Sequence, residues 1–222
     1  MAPAGLAPLL LESLETIHRL EEEGPPASLA QLARRLGVGK DVAAERLHAL
    51  RDKGLVRTEA DGRIRLTDEG RRRALRLVRT HRLLERFLTD RLELPWARVH
   101  EEACRLTPVL ADDIADGLAR LLGHPASCPH GNPIPAADGT LGAETEAIPL
   151  HRLKPGQSGI IVRVEREEPD LLKHLAALGL LPQTKVEVEE VAPLGGPLLI
   201  LVGSSRYAIG RKVASRIFVR EA

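Results

Sequence analysis

His81 and Glu85 stand four residues apart in "RTHRLLERFL", residues 79–88, and His100 and Cys104 repeat the spacing in "VHEEAC". On a helix, side chains at i and i+4 lie over one turn, so an imidazole and a carboxylate so placed can share one cation. The plainer alternative for His81 and Glu85 is a surface ion pair worth about 0.3 kcal/mol. For Cys104 it is a small buried hydrophobe. Near the N-terminus Glu12 and Glu15 put two acids at i, i+3 on a helix of otherwise apolar rhythm. Imidazole, thiolate and carboxylate from separate helices would make a transition-metal site. Mixed N, O and S donors suit Fe, Co, Ni or Zn, and more oxygen favours Mn. Cys128 and His130 in "CPHGNPIP" offer the same donor atoms, but they sit in a Pro-rich stretch without a matching pair, which favours a structural loop.

The elements that must carry these residues follow from periodicity. Residues 8–23 place Leu10, Leu14, Ile17 and Leu20 at helical spacing. "GPPAS" stops that helix, and Ser28 is suited to cap the next. "SLAQLARRLGVGKDVAAERLHALRDKGLV" then predicts helix, short turn, helix. Leu29, Leu32 and Leu36 line the first and Val42, Leu47 and Leu50 the second, with Gly54 as the stop. "LVRTEADGRIRLT" alternates around Asp61-Gly62, a hairpin signature. A helix-turn-helix followed by a hairpin is the winged-helix arrangement, whose second helix enters the major groove. A long helix follows, with Thr67 at its N-cap and Glu69 in its first turn. Two further helices are expected at about 96–107 and 109–122. A Gly- and Pro-rich linker comes next. From Leu150 the strands "GIIVRVE", "KVEVEEV", "LLILVG", "YAIG" and "RIFVRE" predict a small β-barrel or sandwich, with one helix in "PDLLKHLAALGL".

The chain has 222 residues, 43% of them hydrophobic but only 2% aromatic, so its cores must be built of leucine, valine and alanine. The net charge of +1 singles out no partner, yet from Arg63 to Arg91 ten arginines face four acids. That excess fits an anionic partner or a solvated helix face. Arg34, Arg35, Arg51, Arg63 and Arg65 are candidates for phosphate contact. Lys40, Asp41, Val42, Glu45 and Arg46 are candidates on the recognition helix. Its Asp41 and Glu45 repel phosphate but can accept from a cytosine amino group. Two cysteines without a CxxC predict a reducing cytoplasm. No signal peptide and no membrane helix are read. GxSxG, P-loop, HExxH and GxGxxG are all missing from the sequence, so hydrolase and nucleotide-binding readings have no support.

Several separate motifs agree with one known family. "ETIHRLEEEG", "LARRLGV", "RDKGLV", "LTDEGRR", "HRLLERFLTD", "VHEEACRL" and "HGNPIP" resemble, in order and spacing, the diphtheria toxin repressor family of metal-dependent regulators. Iron-dependent repressors and manganese transport regulators belong to it. The likeness covers residues 10–135. "LGLLPQTKVEVEEVAPLGGPLLILVG" resembles the SH3-like domain that these repressors share with the small ferrous-iron transport protein A, with Gln183 where a glycine is usual.

The resemblance implies an α+β multidomain protein. A winged helix-turn-helix would span 1–74, a helical metal-binding and dimerisation domain 75–140, a linker 141–149 and an SH3-like small β-barrel 150–222. It implies a homodimer that binds double-stranded DNA at a palindromic operator when Mn(II) or Fe(II) is bound, other divalent metals serving in vitro, and that is no enzyme. His81, Glu85 and His100 match one family metal site, and Glu168 matches the carboxylate that the SH3-like domain lends it. A further ligand of that domain is replaced by Leu171, beside Asp170. Glu12 and Glu15 match ligands of the other site. There the family pattern of Cys or Glu, two residues, then Glu-His reads Cys104-Arg-Leu-Thr107-Pro108. Thr107 is a poor ligand and Pro108 none, and the pair either interrupts the helix or starts a new one capped by Thr107. Three readings follow: a metal-dependent repressor of metal-uptake genes, a regulator of the same fold with lost or altered metal control, and a metalloenzyme with an open coordination position.

Overall fold

A computed structural model of the chain describes residues 6–24, 26–110, 112–141, 146–165 and 168–221. Its contacts fall into two units. One comprises Met1–Leu84, Ala103–His124 and Ile134–Leu141, the other Glu85–Glu102, Pro125–Pro133 and Gly142–Ala222.

The first unit begins with α1 (Pro8–Glu22), α2 (Leu29–Leu36) and α3 (Lys40–Asp52), followed by β1 (Val56–Thr58) and β2 (Ile64–Leu66). Ser28 starts α2 through a reciprocal cap with Gln31, and Gly37 ends it at φ 66°, a left-handed position that costs glycine least. β1 and β2 pair antiparallel, Val56 opposite Leu66, and Ile64 N also donates to Ala27 O at 2.7 Å. Leu14, Ile17, Leu32, Leu50, Leu55 and Ile64 fill the core between these elements. Each such side chain contributes roughly 1.5–3 kcal/mol on burial. Val42, expected in this core, is instead 42% exposed. It lies on the outer face of α3, whereas Ala43 and Leu50 face inward.

α4 (Asp68–Asp90) follows the hairpin. Thr67 Oγ1 accepts from Gly70 N at 3.1 Å and donates to Gly54 O at 2.7 Å, the expected cap. Gly70 is required there, since a Cβ would meet Leu55 O at 1.9 Å. α5 (Val99–Leu106) starts three residues later than expected, because a turn closed by Arg98 N and Pro95 O occupies 95–98. Thr107 caps no helix. Its hydroxyl donates back to Ala103 O at 2.7 Å, and Thr107–Val109 form a single 3-10 turn before α6 (Asp112–Leu121). Pro108 lacks the N–H that would continue α5. Leu83, Ala115, Ala119 and Ile134 make a smaller core there.

The second unit carries a six-stranded antiparallel sheet in the order β3-β8-β4-β5-β6-β7. The strands are β3 (Ile148–Pro149), β4 (Ser158–Val164), β5 (Lys185–Val191), β6 (Leu198–Val202), β7 (Ser205–Ile209) and β8 (Ile217–Glu221), with α7 (Pro169–Ala177) and α8 (Arg211–Ala214) between them. Ile161, Val164, Val186, Val188, Ile200, Ile217 and Val219 alternate into one core with Leu172 and Leu175 of α7. Trp96 and Ala97 pack against the same core. Of the linker expected at 141–149, residues 142–145 lie outside the described residues. Ile148 and Pro149 are strand, paired to Val219 and Phe218. No helix among the described residues is long and apolar enough to cross a membrane.

Two predictions come from these units. Gln183 sits at φ 74°, a left-handed conformation that strains any residue with a Cβ. Gln183→Gly should therefore raise stability by about 0.5–1 kcal/mol in urea denaturation, despite the entropy that glycine adds to the unfolded chain. His18, on α1, is 3% exposed, and both ring nitrogens lack a hydrogen-bond partner. Burial lowers its pKa from 6.5; Glu22 opposes this, while Arg82 and Arg71 reinforce it. The folded chain thus resists a proton that the unfolded chain accepts. His18's contribution is complete above pH 6.5 and is lost as pH falls from there through the lowered folded value. Urea midpoints at pH 7.5 and 5.5 should differ less for His18→Gln than for the parent protein.

Candidate metal centre

α4 presents a buried stripe at helical spacing: Ala74, Leu77, Val78, His81, Leu84, Glu85 and Leu88. His81 and Glu85 occupy positions that the rest of the stripe gives to aliphatic residues, and both are 0% exposed. A surface ion pair is thereby set aside. Burying ionisable groups costs several kcal/mol unless each is compensated, so their neighbours decide what they can do.

In the first unit His81 meets Glu15 of α1, Nδ1 to Oε1 at 3.4 Å. The same Oε1 accepts from Arg19 Nε at 3.1 Å and Nη2 at 2.9 Å. Glu12, one turn earlier, turns to α3, where Arg46 Nη1 donates to Oε2 at 3.0 Å. That guanidinium is only 12% exposed while Glu12 is 49% exposed. Cys104 is exposed on α5, and Thr107, one turn later, is 2% exposed with its hydroxyl committed to Ala103 O. At the position that departs from the family pattern, Thr107, the hydroxyl is thus taken up by a backbone hydrogen bond.

In the second unit Glu85 Oε1 lies 3.0 Å from His100 Nδ1 and 3.4 Å from His130 Nδ1. Cys128 Sγ is 4.0 Å from His130 Nδ1. Donor atoms of Glu85, Cys128 and His130 all lie within 4.8 Å of one another, and all three residues are buried. The loop at 127–133, expected to be purely structural, therefore brings two potential ligands to Glu85. Sequence reasoning missed this because the partners are 43 and 45 positions away and share no periodic element; the motif's Cys and His were the only signal. Glu168 is exposed at the N-cap of α7 and belongs to no donor cluster found among the described residues. Asp170 is exposed beside it, whereas Leu171 packs on the β-sheet core. A buried carboxylate between two imidazoles is a donor set that fits a first-row divalent cation.

The helix-turn-helix presents a second surface. Lys40, Asp41, Val42 and Glu45 are exposed on α3, and Arg34 is exposed at the end of α2. Other candidate arginines already hold intramolecular partners. Arg35 pairs with Glu23 at 2.6 Å, Arg46 with Glu12, Arg63 with Asp61 at 3.0 Å and Arg65 with Glu59 at 2.6 Å. Arg51 Nη2 lies 2.8 Å from His48 Nδ1. On the hairpin Arg63 is exposed and Arg65 half-buried. The pairs of Arg63 and Arg65 are largely exposed and so are worth less than about 1 kcal/mol, which a phosphate can displace, whereas Arg35 and Arg46 are more deeply held.

Comparison with known proteins bears on both surfaces. Residues 67–136 match the iron dependent repressor metal binding and dimerisation domain, and residues 148–221 match the FeoA domain. The chain is 33% identical over 219 residues to the iron-dependent repressor IdeR of Mycobacterium tuberculosis, covering 94% of this chain and 95% of that one. It is 40% identical over 125 residues to the diphtheria toxin repressor of Corynebacterium jeikeium, covering 56% and 52%. A solved structure of a manganese-dependent transcriptional repressor with manganese superposes at a TM-score of 0.88 with 32% identity, covering 96% of this chain and all of that one. IdeR of T. acidophilum superposes at 0.81 with 28% identity, covering 96% and 97%. With a relative at 33% identity along nearly its whole length, this chain belongs to the family of metal-dependent transcriptional repressors that includes IdeR and the diphtheria toxin repressor.

Proposed function

We propose that this chain is a cytoplasmic homodimer that binds a palindromic operator when Mn(II) or Fe(II) is bound and represses metal-uptake genes. The observation that carries the metal dependence is the placing of His81 and Glu85, one turn apart and fully buried, on an otherwise apolar helix face. Among aliphatic neighbours these two groups have no packing advantage, and a cation would compensate them. His81, Glu85 and His100 would hold it, with Glu168 as the further carboxylate. Cys104, Glu12 and Glu15 would form a weaker neighbour. The bound cation would supply positive charge to carboxylates and imidazoles from separate elements. We assign the winged helix to 1–74, the dimerisation domain to 75–140, the linker to 141–149 and the SH3-like domain to 150–222.

The chain's own residues provide the link to DNA. Glu12 holds Arg46 of the recognition helix, and Glu15 holds Arg19 and His81. A ligand that recruits Glu12 or Glu15 changes what restrains α1 and α3, and so shifts the balance between arrangements by its differential affinity. Lys40, Asp41, Val42, Glu45 and Arg46 would then read bases, while Arg34, Arg35, Arg51, Arg63 and Arg65 would contact phosphates.

One observation favours a second reading, a regulator with altered metal control: Thr107 stands where the family has a carboxylate ligand, and its hydroxyl is tied to Ala103. Fluorescence anisotropy on the gene's own upstream DNA at fixed salt separates the two. Metal dependence predicts an affinity gain of at least about tenfold on replacing chelator with Mn(II) or Fe(II), or roughly 1.4 kcal/mol of coupling. Equal, tight binding in chelator would establish the second reading instead. For the ligand assignment, His81→Ala should weaken Mn(II) binding by more than about tenfold in calorimetric titration. Unchanged affinity and stoichiometry would show that His81 is no ligand.

A further inference from the structure

We infer that the ion pair of Glu12 and Arg46 is an autoinhibitory latch. One carboxylate serves either the guanidinium of the recognition helix or a divalent cation, and Arg46 is free for DNA only in the second case. It rests on the proposed function through two roles, that of α3 in DNA binding and that of Glu12 as a ligand.

The first support is the position of Arg46 on the border between the two faces of α3. Val42, one turn before it, is 42% exposed, and Leu50, one turn after it, is fully buried. A long side chain on such a border can reach outward to a nucleic acid or back to a neighbouring helix. Here it turns back: Nη1 donates to Glu12 Oε2 of α1 at 3.0 Å, across 34 positions of sequence. The side chain of Arg46 is 12% exposed in that posture and that of Glu12 49%. The carboxylate therefore stays open to solvent while the arginine does not.

Charge is the second support, and it gives the latch its sign. The recognition helix carries Lys40, Arg46 and Arg51 against Asp41, Glu45 and Asp52. With Arg46 matched by Glu12, two cations are left against three acids, and the helix meets a phosphate backbone with an acidic excess. Once released, Arg46 restores the balance. It also adds a planar donor that can contact phosphate or the paired acceptors of guanine.

Competition at one carboxylate is the third. Glu15 turns to Arg19 of its own helix and to His81 of α4, whereas Glu12 reaches the recognition helix itself. Two positive groups on one carboxylate repel each other at close range. Glu12 therefore holds a divalent cation or Arg46, not both. The coupling is reciprocal: DNA that draws Arg46 away leaves Glu12 free, and cation affinity rises by the same factor. The latch needs no large movement, since α1 and α3 pack together in one unit and a single side chain changes partner.

The test uses the full-length protein and the gene's own upstream DNA at fixed salt. In chelator, Glu12→Gln should bind that DNA at least about threefold tighter than the parent protein. In an Arg46→Met background, which keeps the aliphatic stem, the same substitution should change nothing, because no arginine remains to be released. An equal gain in both backgrounds would be a bulk charge effect and overturns the latch. Unchanged or weaker binding by Glu12→Gln overturns it too, weaker binding because the pair would then hold Arg46 ready for DNA. Calorimetric titration of Arg46→Met with Mn(II) should show tighter binding than the parent protein, its competitor having been removed. Equal or weaker Mn(II) binding overturns the competition. Failure of the metal reading alone would show as equal DNA affinity of the parent protein in chelator and in Mn(II), with the Glu12→Gln gain in chelator still present.

Discussion

Glu85 is a carboxylate with no exposure to water, set on a helix stripe of leucine, valine and alanine. Removing such a charge from water costs several kcal/mol, and only close partners offset it. The partners come from far along the chain: His100 at 3.0 Å and His130 at 3.4 Å. Much of the second unit's local structure serves that arrangement. The turn at 95–98 delivers His100 and the Trp96 carbonyl. The loop at 127–133 is fastened to β4 so that His130 cannot turn away. Under the proposed assignment a divalent cation would add to what these imidazoles offer, tying the energetics of the fold to its ligand.

The first unit follows the same pattern with different groups. His81, also without exposure, meets Glu15, and Glu15 is held by Arg19. Glu12 reaches Arg46 on the recognition helix. Carboxylates that the family resemblance marks as ligands are therefore engaged by cationic side chains of the chain itself. Under the proposed assignment one set of acids would answer to either kind of partner, and the winged helix would feel which it is. A switch of this type needs no long-range charge effect, which would be screened within about 8–10 Å at ordinary salt. It needs only that one arrangement of α1 and α3 bind the cation better than another.

The Thr107-Pro108 departure acquires a physical meaning in this setting. Proline ends the ladder of α5, and the threonine hydroxyl folds back onto Ala103 O, so a position that the family resemblance marks for a ligand becomes a closed turn. Under the proposed assignment the donors around Glu85 would then carry more of the binding. Cys128 and His130 supply a buried thiol and a buried imidazole within reach of that carboxylate.

What the sequence by itself determined is what depends on neighbours in the chain. Periodicity placed α1 to α4, the capping residues Ser28 and Thr67, the hairpin and the strands of the second unit, because helical and strand repeats act over a few residues. It also put His81 with Glu85 and His100 with Cys104 on single turns. Val42 escaped it, since its apolar type says nothing about which face of α3 it occupies. The late start of α5, the early strand at Ile148 and the back-bonded Thr107 escaped it too, as local competitions decided by tertiary packing and single hydrogen bonds. The tertiary structure alone decided that His81 and Glu85 are buried, that Glu12 holds Arg46 and that His130 and Cys128 face Glu85. Burial and the meeting of side chains far apart in the chain depend on how helices and loops pack, and no local pattern encodes that.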